Sequence, residues 1–277
     1  MNREDILRKV SKNEDRILLS KVLDKVFKCE KSGEVLNTEF LDPYQRGIVA
    51  RMISDITLYN KNSIKFKFNG GYEGAERVLL IFSPEFLFYD NEHSKVNSIN
   101  QYFKLLNIKV NDPVGLSHRD FLGSLMGLGI KREKIGDILL REDNSKTIHC
   151  QIIVLKEVAD YISYNLEKIG KTRASVTLED VSDLKCAEQS VKTVAASVAS
   201  LRLDSIVSAG FNLSRDKAAE AIKSERVSIN WEIINSLTKQ IKEGDTISFK
   251  GKGRIVVEKI NGLTKKGRTS ILINKLL

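Results

Sequence analysis

Basic side chains recur where the backbone is predicted to turn between residues 201 and 254. Arg202 and Arg215 each begin a short helical pattern, and Lys217 follows in the first turn of the second helix. Cations are disfavoured there, because the free N–H groups of a helix N-terminus carry partial positive charge. A bound phosphate would reverse that cost by meeting the N–H groups and the cations together. The alternative interpretation is a set of solvated surface charges.

Two predicted strands carry further cations on their outer sides. Residues 226–230 alternate, with Val227 and Ile229 inward and Arg226 outward, and residues 246–250 alternate in the same way with Lys250 outward. The loop Gly251-Lys252-Gly253-Arg254 follows, where glycines allow the backbone to approach a ligand closely. Outward cations thus recur on each element.

The helices that must position these groups follow from apolar spacing. Ser214 is a good N-cap for the second helix, and Arg202 and Asp204 lie off the apolar face of the first. The residues predicted to be buried are Leu203, Ile206, Val207 and Gly210 in the first helix and Ala218, Ala219 and Ile222 in the second.

This stretch resembles the S-four RNA-binding domain, named for a ribosomal small-subunit protein. The shared pattern is an R-x-D helix start, S-R-x-x-A, V-x-V-N, G-D and a final G-x-G. The sequence departs at Glu225 and at Trp231, where the family usually has glycine, so Asn230 is expected to take a left-handed conformation itself. The residues that we predict to contact RNA are Arg202, Ser214, Arg215, Lys217, Arg226, Asn230, Lys250, Lys252 and Arg254.

Positive charge is concentrated in the same part of the chain. The 277 residues carry a net charge of +9, and residues 200–277 hold 15 Lys and Arg against 8 Asp and Glu, a surplus of 7. The rest of the chain has a surplus of only 2. Such asymmetry favours a polyanion bound by the C-terminal part over a generally basic surface.

The first 60 or so residues are predicted to be mostly helical. Asp42 is a plausible N-cap and Pro43 a first helical residue. The glycine-rich segment 70–77 precedes an apolar run and lacks a following G-K-[ST], so we interpret it as a tight connector and not a phosphate loop. The residues predicted to form apolar helix faces are Ile6, Leu7, Val10, Ile17, Leu18, Val22, Leu23, Val26, Phe27, Ile48, Val49, Met52 and Ile53.

From about residue 98 the predicted order is strand, helix, strand, strand, helix, strand. The pieces are 99–110, 118–128, 135–141, 147–155, 157–169 and 175–178. This split βαβ order is that of RNA-recognition modules, which stack bases on aromatic residues of the central strands. The third strand, 147–155, has no Phe, Tyr or Trp. Fold analogy alone therefore does not make this sheet an RNA platform.

Other candidate sites are weaker. His118 and Arg119 open a predicted helix and are possible secondary phosphate contacts, although Ser117 or Asp120 could simply cap that helix. We predict no metal site, because the histidines lack ligand spacing and no C-x-x-C is present. Three dispersed cysteines fit a reducing cytoplasm. No signal peptide or apolar run of membrane-spanning length is visible.

Longer blocks extend the resemblance over nearly the whole chain. The segments 40–45, 70–77, 118–123 and 127–138, together with the turn Ile229-Asn230-Trp231, are similar to the YlmH family. That resemblance implies a helical N-terminal domain, an RRM-like central domain and a C-terminal S-four domain. It also implies a bacterial RNA-binding protein that rescues large ribosomal subunits obstructed by peptidyl-tRNA. An association of the family with cell division is known, and the residues here do not bear on it.

These observations predict an α+β protein with three domains: a helical domain at 1–70, an RRM-like βαββαβ domain at 71–183 and an S-four domain with a basic tail at 184–277. We expect a non-enzymatic, monomeric, cytoplasmic protein that binds ribosomal RNA, with transfer RNA as a further candidate partner. No catalytic residue, cofactor, small-molecule substrate or membrane is predicted. The alternatives are an RNA-modifying enzyme targeted by its S-four domain and an adaptor linked to cell division.

Overall fold

A division between residues 187 and 188 separates the chain into two units in the computed structural model. The structure describes residues 3–8, 10–59, 64–88, 101–111, 115–142, 147–185, 191–264 and 267–276. Within these residues no helix is long and apolar enough to cross a membrane. Cys29 and Cys150 are buried free thiols, and Cys186 lies outside the described residues. Burial raises the pKa of the Cys29 thiol to about 11.

The N-terminal part of the first unit combines helices with a small sheet. The helices are α1 (Arg3–Arg8), α2 (Asn13–Ser32), α3 (Pro43–Tyr59) and α4 (Glu85–Phe88), and the strands are β1 (Leu36–Asn37), β2 (Ile64–Asn69) and β3 (Leu79–Pro84). The strands are antiparallel in the order β1-β3-β2. The sequence predicts helices here, and the structure adds this sheet, whose β2 and β3 pair across the predicted domain boundary at residue 70.

Helix α3 begins as predicted. The backbone N of Gln45 donates to Asp42 Oδ1 at 2.8 Å, and the backbone N of Asp42 donates to Gln45 Oε1 at 3.0 Å, so the two side chains cap the helix reciprocally.

The predicted apolar face of α2 needs a correction. Ile17 and Phe27 are 49% and 47% exposed, whereas Leu19, which was not predicted, is buried. The buried face is centred near Val26. At about 100° per residue, Ile17 lies on the opposite side of the helix and Phe27 at the margin.

The remainder of the first unit is a five-stranded sheet with two helices. Its strands are β4 (Phe103–Asn111), β5 (Ile135–Glu142), β6 (Thr147–Leu155), β7 (Lys168–Ile169) and β8 (Thr172–Glu179), and its helices are α5 (His118–Gly127) and α6 (Lys156–Asn165). Neighbouring strands are antiparallel in the order β5-β6-β4-β8-β7. Phe121 and Leu125 of α5 and Ala159 and Ile162 of α6 belong to one core cluster on one face of the sheet.

The glycine-rich segment 70–77 is a connector between β2 and β3, as predicted. Asp137 on β5 holds this connector, accepting from the Tyr72 hydroxyl at 2.9 Å and from the backbone N of Glu76 and Arg77 at 2.8 and 3.1 Å. A Cβ at Gly70 would lie 2.6 Å from the Arg77 carbonyl oxygen, so glycine is required there. The segment therefore joins the two sheets of this unit and has a structural role.

The second unit has its own core between two helices and a six-stranded sheet. The helices are α7 (Leu203–Gly210) and α8 (Arg215–Lys223), and the strands are β9 (Val191–Val198), β10 (Val227–Ile229), β11 (Glu232–Ile233), β12 (Thr246–Phe249), β13 (Gly253–Leu263) and β14 (Thr269–Leu276). The strand order is β11-β10-β12-β13-β14-β9. The predicted basic tail is instead the hairpin of β13 and β14, and β14 also pairs with β9 along eight residues.

The apolar pattern of the second unit is largely confirmed. Predicted core residues that are buried are Leu203, Ile206, Val207, Gly210, Ala218, Ile222, Val227 and Ile229. Ala219 is only partly buried, and Ala221 is buried in its place. These contacts fix the two helices on the inner face of the sheet.

Candidate nucleic-acid interface

A buried carboxylate joins the two predicted arginines at the helix starts. Asp204 is 7% exposed, which corrects its predicted position off the apolar face. It accepts hydrogen bonds from Arg202 Nε at 3.2 Å and Nη2 at 3.3 Å, and from Arg215 Nη2 at 2.7 Å. One carboxylate therefore fixes two guanidinium groups side by side.

The local backbone explains why Asp204 lies in this place. Arg202 is the N-cap residue of α7, and the backbone N of Leu203 donates to the Lys239 carbonyl at 2.9 Å. Asp204 N bonds the Leu237 carbonyl at 3.3 Å, and Asp204 Oδ1 accepts from Ser205 N at 2.9 Å. The segment before β12 thus closes over the first turn of α7 and buries the carboxylate. Sequence analysis missed this because the contact depends on residues more than thirty positions away.

The electrostatics of this group favour the charged carboxylate. Burial alone would raise the pKa of Asp204, but the hydrogen bond from Arg215 and the charges of Arg215 and Arg202 outweigh it and lower the pKa. The same contact offsets the unfavourable position of Arg215 at the start of α8. The dipole argument made from sequence therefore does not by itself require an anion. The Arg215 side chain is still 50% exposed and engages Asp204 through one terminal nitrogen.

Ser214 and Lys217 lie at the start of α8. Ser214 is the N-cap, as predicted, and its Oγ accepts from the backbone N of Lys217 at 3.3 Å. Both residues are exposed. Ser214 therefore caps the helix. Lys217 is exposed and lies two residues after Arg215 in the first turn of α8.

A second group of cations lines a cavity on the sheet. The cavity has a volume of about 360 Å³, and Arg226, Lys250 and Arg254 lie on it together with Ser228 and Ser248. Ser228 and Ser248 alternate with the buried residues of β10 and β12, and Arg226 and Lys250 continue the same alternation at the strand ends. Arg254 on β13 is paired with Ser248, so all five residues lie on the face of the sheet away from the core.

Arg226 has two side-chain contacts that hold it in place. Its Nε donates to Ser224 Oγ at 3.0 Å, and its guanidinium carbon lies 5.7 Å from the centroid of the Phe249 ring. Glu225, just before it, has φ +56°, so this residue adopts the left-handed conformation that glycine usually supplies. Lys252 is exposed in the adjoining loop between Gly251 and Gly253, which have φ of +85° and +94°.

Asn230 is exposed, and its side chain stabilises a turn. It has φ +48°, as predicted, and its Nδ2 donates to Asp245 Oδ1 at 2.8 Å. Its Oδ1 accepts from the backbone N of Thr246 at 2.9 Å. The side chain thus connects the β10–β11 turn to the start of β12.

At the weaker site predicted in the first unit, Ser117 and Asp120 cap helix α5. Asp120 Oδ2 accepts from both the backbone N of Ser117 at 2.8 Å and its Oγ at 2.7 Å, which completes a capping box. His118 and Arg119 are exposed in the first turn of α5. Elsewhere in the described part of the chain, no group of three or more His, Cys, Asp or Glu side chains could hold a metal ion.

Comparison with known proteins assigns the chain to a family. Residues 100–183 match the profile described as "Putative RNA-binding domain in YlmH", and residues 201–247 match the profile described as "S4 domain". A relative from Bacillus subtilis (strain 168), "Ribosome-associated protein quality control protein P2", is 31% identical over 238 residues, which cover 86% of each chain. This chain belongs to the YlmH family.

A solved structure is also similar to this YlmH-family chain. "Cell division protein ylmH from Streptococcus pneumoniae" matches with a TM-score of 0.47 and 23% identity, covering 63% of this chain and 96% of that one. The S-four match contains Arg202, Asp204, Arg215 and Arg226, and it ends before Lys250, Lys252 and Arg254.

Proposed function

We propose that this YlmH-family protein is a non-enzymatic RNA-binding protein of ribosome-associated quality control. Its second unit would hold ribosomal RNA of a large subunit obstructed by peptidyl-tRNA, with transfer RNA as an additional contact. The printed name of the Bacillus subtilis relative supports the ribosomal setting. The S-four profile and the surplus of positive charge after residue 200 support RNA as the ligand.

The observation that carries this proposal is the pairing of Arg202 and Arg215 by Asp204. A guanidinium presents its donors in a planar fork that suits phosphate oxygens. Fixing two such forks on a buried carboxylate removes much of the side-chain entropy that binding would otherwise cost. The arrangement resembles a prepared phosphate contact more than a set of independently solvated arginines.

The finer organisation belongs to the same proposal. We infer an RRM-like arrangement for the sheet β5-β6-β4-β8 with α5 and α6, and the three domains 1–70, 71–183 and 184–277. The strand order supports the first. Helix α5 connects β4 to β5 and α6 lies between β6 and β8, and the strands of each pair run in the same direction on either side of one antiparallel strand, which is the split βαβ order.

Charge reversal on the sheet of the second unit tests the function. Lys250 and Lys252 are exposed, so the double variant Lys250→Glu/Lys252→Glu should fold like the parent. We expect its affinity for isolated large ribosomal subunits at 100 mM KCl to fall on the order of tenfold or more, because phosphate contacts are lost. Co-sedimentation in a sucrose gradient measures this.

Lys223→Glu is the control for a charge reversal away from this surface, because Lys223 is exposed at the opposite end of α8 from Arg215. It should co-sediment like the parent. Charge reversal of Arg215 is unsuitable alone, since it would place a carboxylate beside buried Asp204. A double variant that melts like the parent and still travels with large subunits would refute this interface.

A further inference from the structure

One half of the five-stranded sheet of the first unit lies open on the face away from α5 and α6. At one end of that face, Phe103 and Ile153 are buried in a cluster with Phe40 and Leu79. At the other end lies a cavity of about 280 Å³. The residues that line this cavity are Asn107, Lys109, Leu139, Leu140, Arg141, His149, Gln151 and Lys185.

Three basic side chains form a row across neighbouring strands of this open half. Arg141 on β5 is directly opposite His149 on β6, and His149 is directly opposite Lys109 on β4. Ser175 on β8 continues the row beyond Lys109. Side chains at opposite positions have Cβ atoms about 4.5–5.5 Å apart. The row therefore places the Cβ atoms of Lys109 and Arg141 about 10 Å apart.

The two outer cations of this row repel each other only weakly. Lys109 and Arg141 are both exposed and lie on either side of His149, so they are two strands apart and not directly opposite. Among the residues that the structure describes, neither has a carboxylate within ion-pair distance. An anion that lies along the row would attract both side chains.

The neighbouring row of the sheet contributes two amide side chains, Gln151 and Asn107, to the cavity. Gln151 lies between Leu139 and Asn107 in the register of the sheet. Its Oε1 accepts from the backbone N of Lys185 at 3.0 Å, which places Lys185 at the rim of the cavity. Asn107 Nδ2 donates to Glu179 Oε1 at 2.7 Å. The amide groups are thus held in place beside the cations.

The open half lacks a platform for stacking bases. The phenyl ring of β4 on this face, Phe103, is buried, and it lies 5.5 Å from the centroid of Phe40. No Phe, Tyr or Trp is among the residues that line the cavity. Recognition here would depend on charge.

We propose that the row Arg141–His149–Lys109 binds the sugar-phosphate backbone of RNA, without base stacking. This inference rests on the proposed RNA-binding function and adds a second contact in a different unit. Two long cationic side chains about 10 Å apart can reach successive phosphates of one strand. The profile match of residues 100–183 names a domain, whereas this row assigns its contact residues and their chemistry.

The test uses the full chain and a fluorescein-labelled 20-nucleotide oligouridylate, with anisotropy measured across a range of KCl concentrations. The double variant Lys109→Gln/Arg141→Gln removes two cations from the row. We expect the slope of log K against log salt to become shallower by about 1.4, because each phosphate contact to a single strand contributes about 0.7. The melting temperature should not fall, since both side chains are exposed.

The matched control is Lys131→Gln/Lys156→Gln, which removes the same charge from exposed positions of the same unit that do not line the cavity. It should keep the parent slope. Labelled oligoadenylate should show the same loss as oligouridylate in the row variant. A loss confined to one base would overturn the phosphate assignment.

The remaining outcomes separate this inference from the proposed function. An unchanged slope in the row variant, an equal loss in the control, or a parent that does not bind either oligonucleotide overturns the inference. If the row variant keeps the parent slope while Lys250→Glu/Lys252→Glu loses binding, the row is rejected as a contact and the proposed function is supported. If only the row variant loses binding, the row is supported and the S-four interface is rejected.

Discussion

At the scale of single residues, the turn between β10 and β11 contains an unusual strain. Asn230 and Trp231 have φ of +48° and +66°, a pair of values that suits Asn-Gly. A bulky residue in this region costs about 1–2 kcal/mol relative to glycine's freedom there. Trp231 is partly buried, but it is not among the residues that form or pack against the core of its unit. The ring therefore gains no core packing in return for its backbone conformation.

Replacing Trp231 by Gly should stabilise the second unit. We expect a gain of about 0.5–1 kcal/mol, because relief of strain exceeds the extra entropy of glycine in the unfolded chain. Urea unfolding followed by circular dichroism measures it. Asn230→Gly is the control: it keeps the backbone conformation but loses the bonds to Asp245 and Thr246, so it should destabilise. A destabilised Trp231→Gly variant would show that the ring packs.

Single residues also show what sequence can and cannot predict. The caps at Asp42 and Ser214 were predictable, because capping depends on neighbours three residues away. The left-handed conformation of Asn230 was predictable from its dipeptide. Burial of Asp204 was not, since it requires the distant segment that contains Leu237 and Lys239. Helix caps and turn conformations can be predicted from neighbouring residues, whereas burial by a distant segment of the chain cannot.

At the scale of elements, α7 and α8 are linked through their first turns by Asp204. Because its pKa in the folded state is lowered, the carboxylate contributes stability above its ordinary pKa of about 3.9. That contribution is lost as the pH falls through the folded-state pKa. The link between the helices is therefore strongest at neutral pH and weakens in acid.

The variant Asp204→Asn should test this link. At pH 7 we expect a loss of about 1–3 kcal/mol, since two charged donors lose their ionised acceptor. The difference from the parent should narrow below about pH 4, as the parent carboxylate protonates. Urea unfolding at pH 7, 5 and 3.5 gives the comparison. Asp216→Asn, at an exposed position in the first turn of α8, should differ little from the parent at any pH. A constant gap for Asp204→Asn would contradict the linkage.

The sequence failed to predict elements whose pairing partners are far away in the chain, and it misassigned part of one helix face. The strands of the central sheet were predicted within a few residues, with β6 at 147–155 in both. The hairpin β13–β14 was missed, and its partner β9 lies more than seventy residues earlier in the chain. The prediction placed Ile17 and Phe27 in the apolar face of α2, but both are exposed. The helix has more apolar residues than its neighbouring elements bury, and the sequence does not show which of them are left exposed.

At the scale of the whole molecule, positive charge and the proposed RNA contacts are divided unequally between the two units. The second unit contains the surplus of positive charge, the Asp204-paired arginines and the cationic cavity. In the first unit, the proposed contact is the row Arg141–His149–Lys109 on the open half of its sheet. Most of the affinity is therefore expected from the second unit, with a smaller increment from the first.

Residues 188–277 alone should retain most of the RNA affinity, because they form a unit with its own buried core. For a structured, duplex-like RNA we expect log K to fall with log salt with a slope on the order of −5, as about six phosphates are neutralised. The full chain should have a slope steeper by about 1–2 from the row in the first unit. Filter binding of isolated ribosomal RNA by residues 188–277, residues 1–187 and the full chain gives all three slopes. The prediction would be contradicted if the RNA affinity of residues 188–277 did not depend on salt, or if residues 1–187 bound RNA with equal affinity. In that case the central sheet would be the main RNA contact.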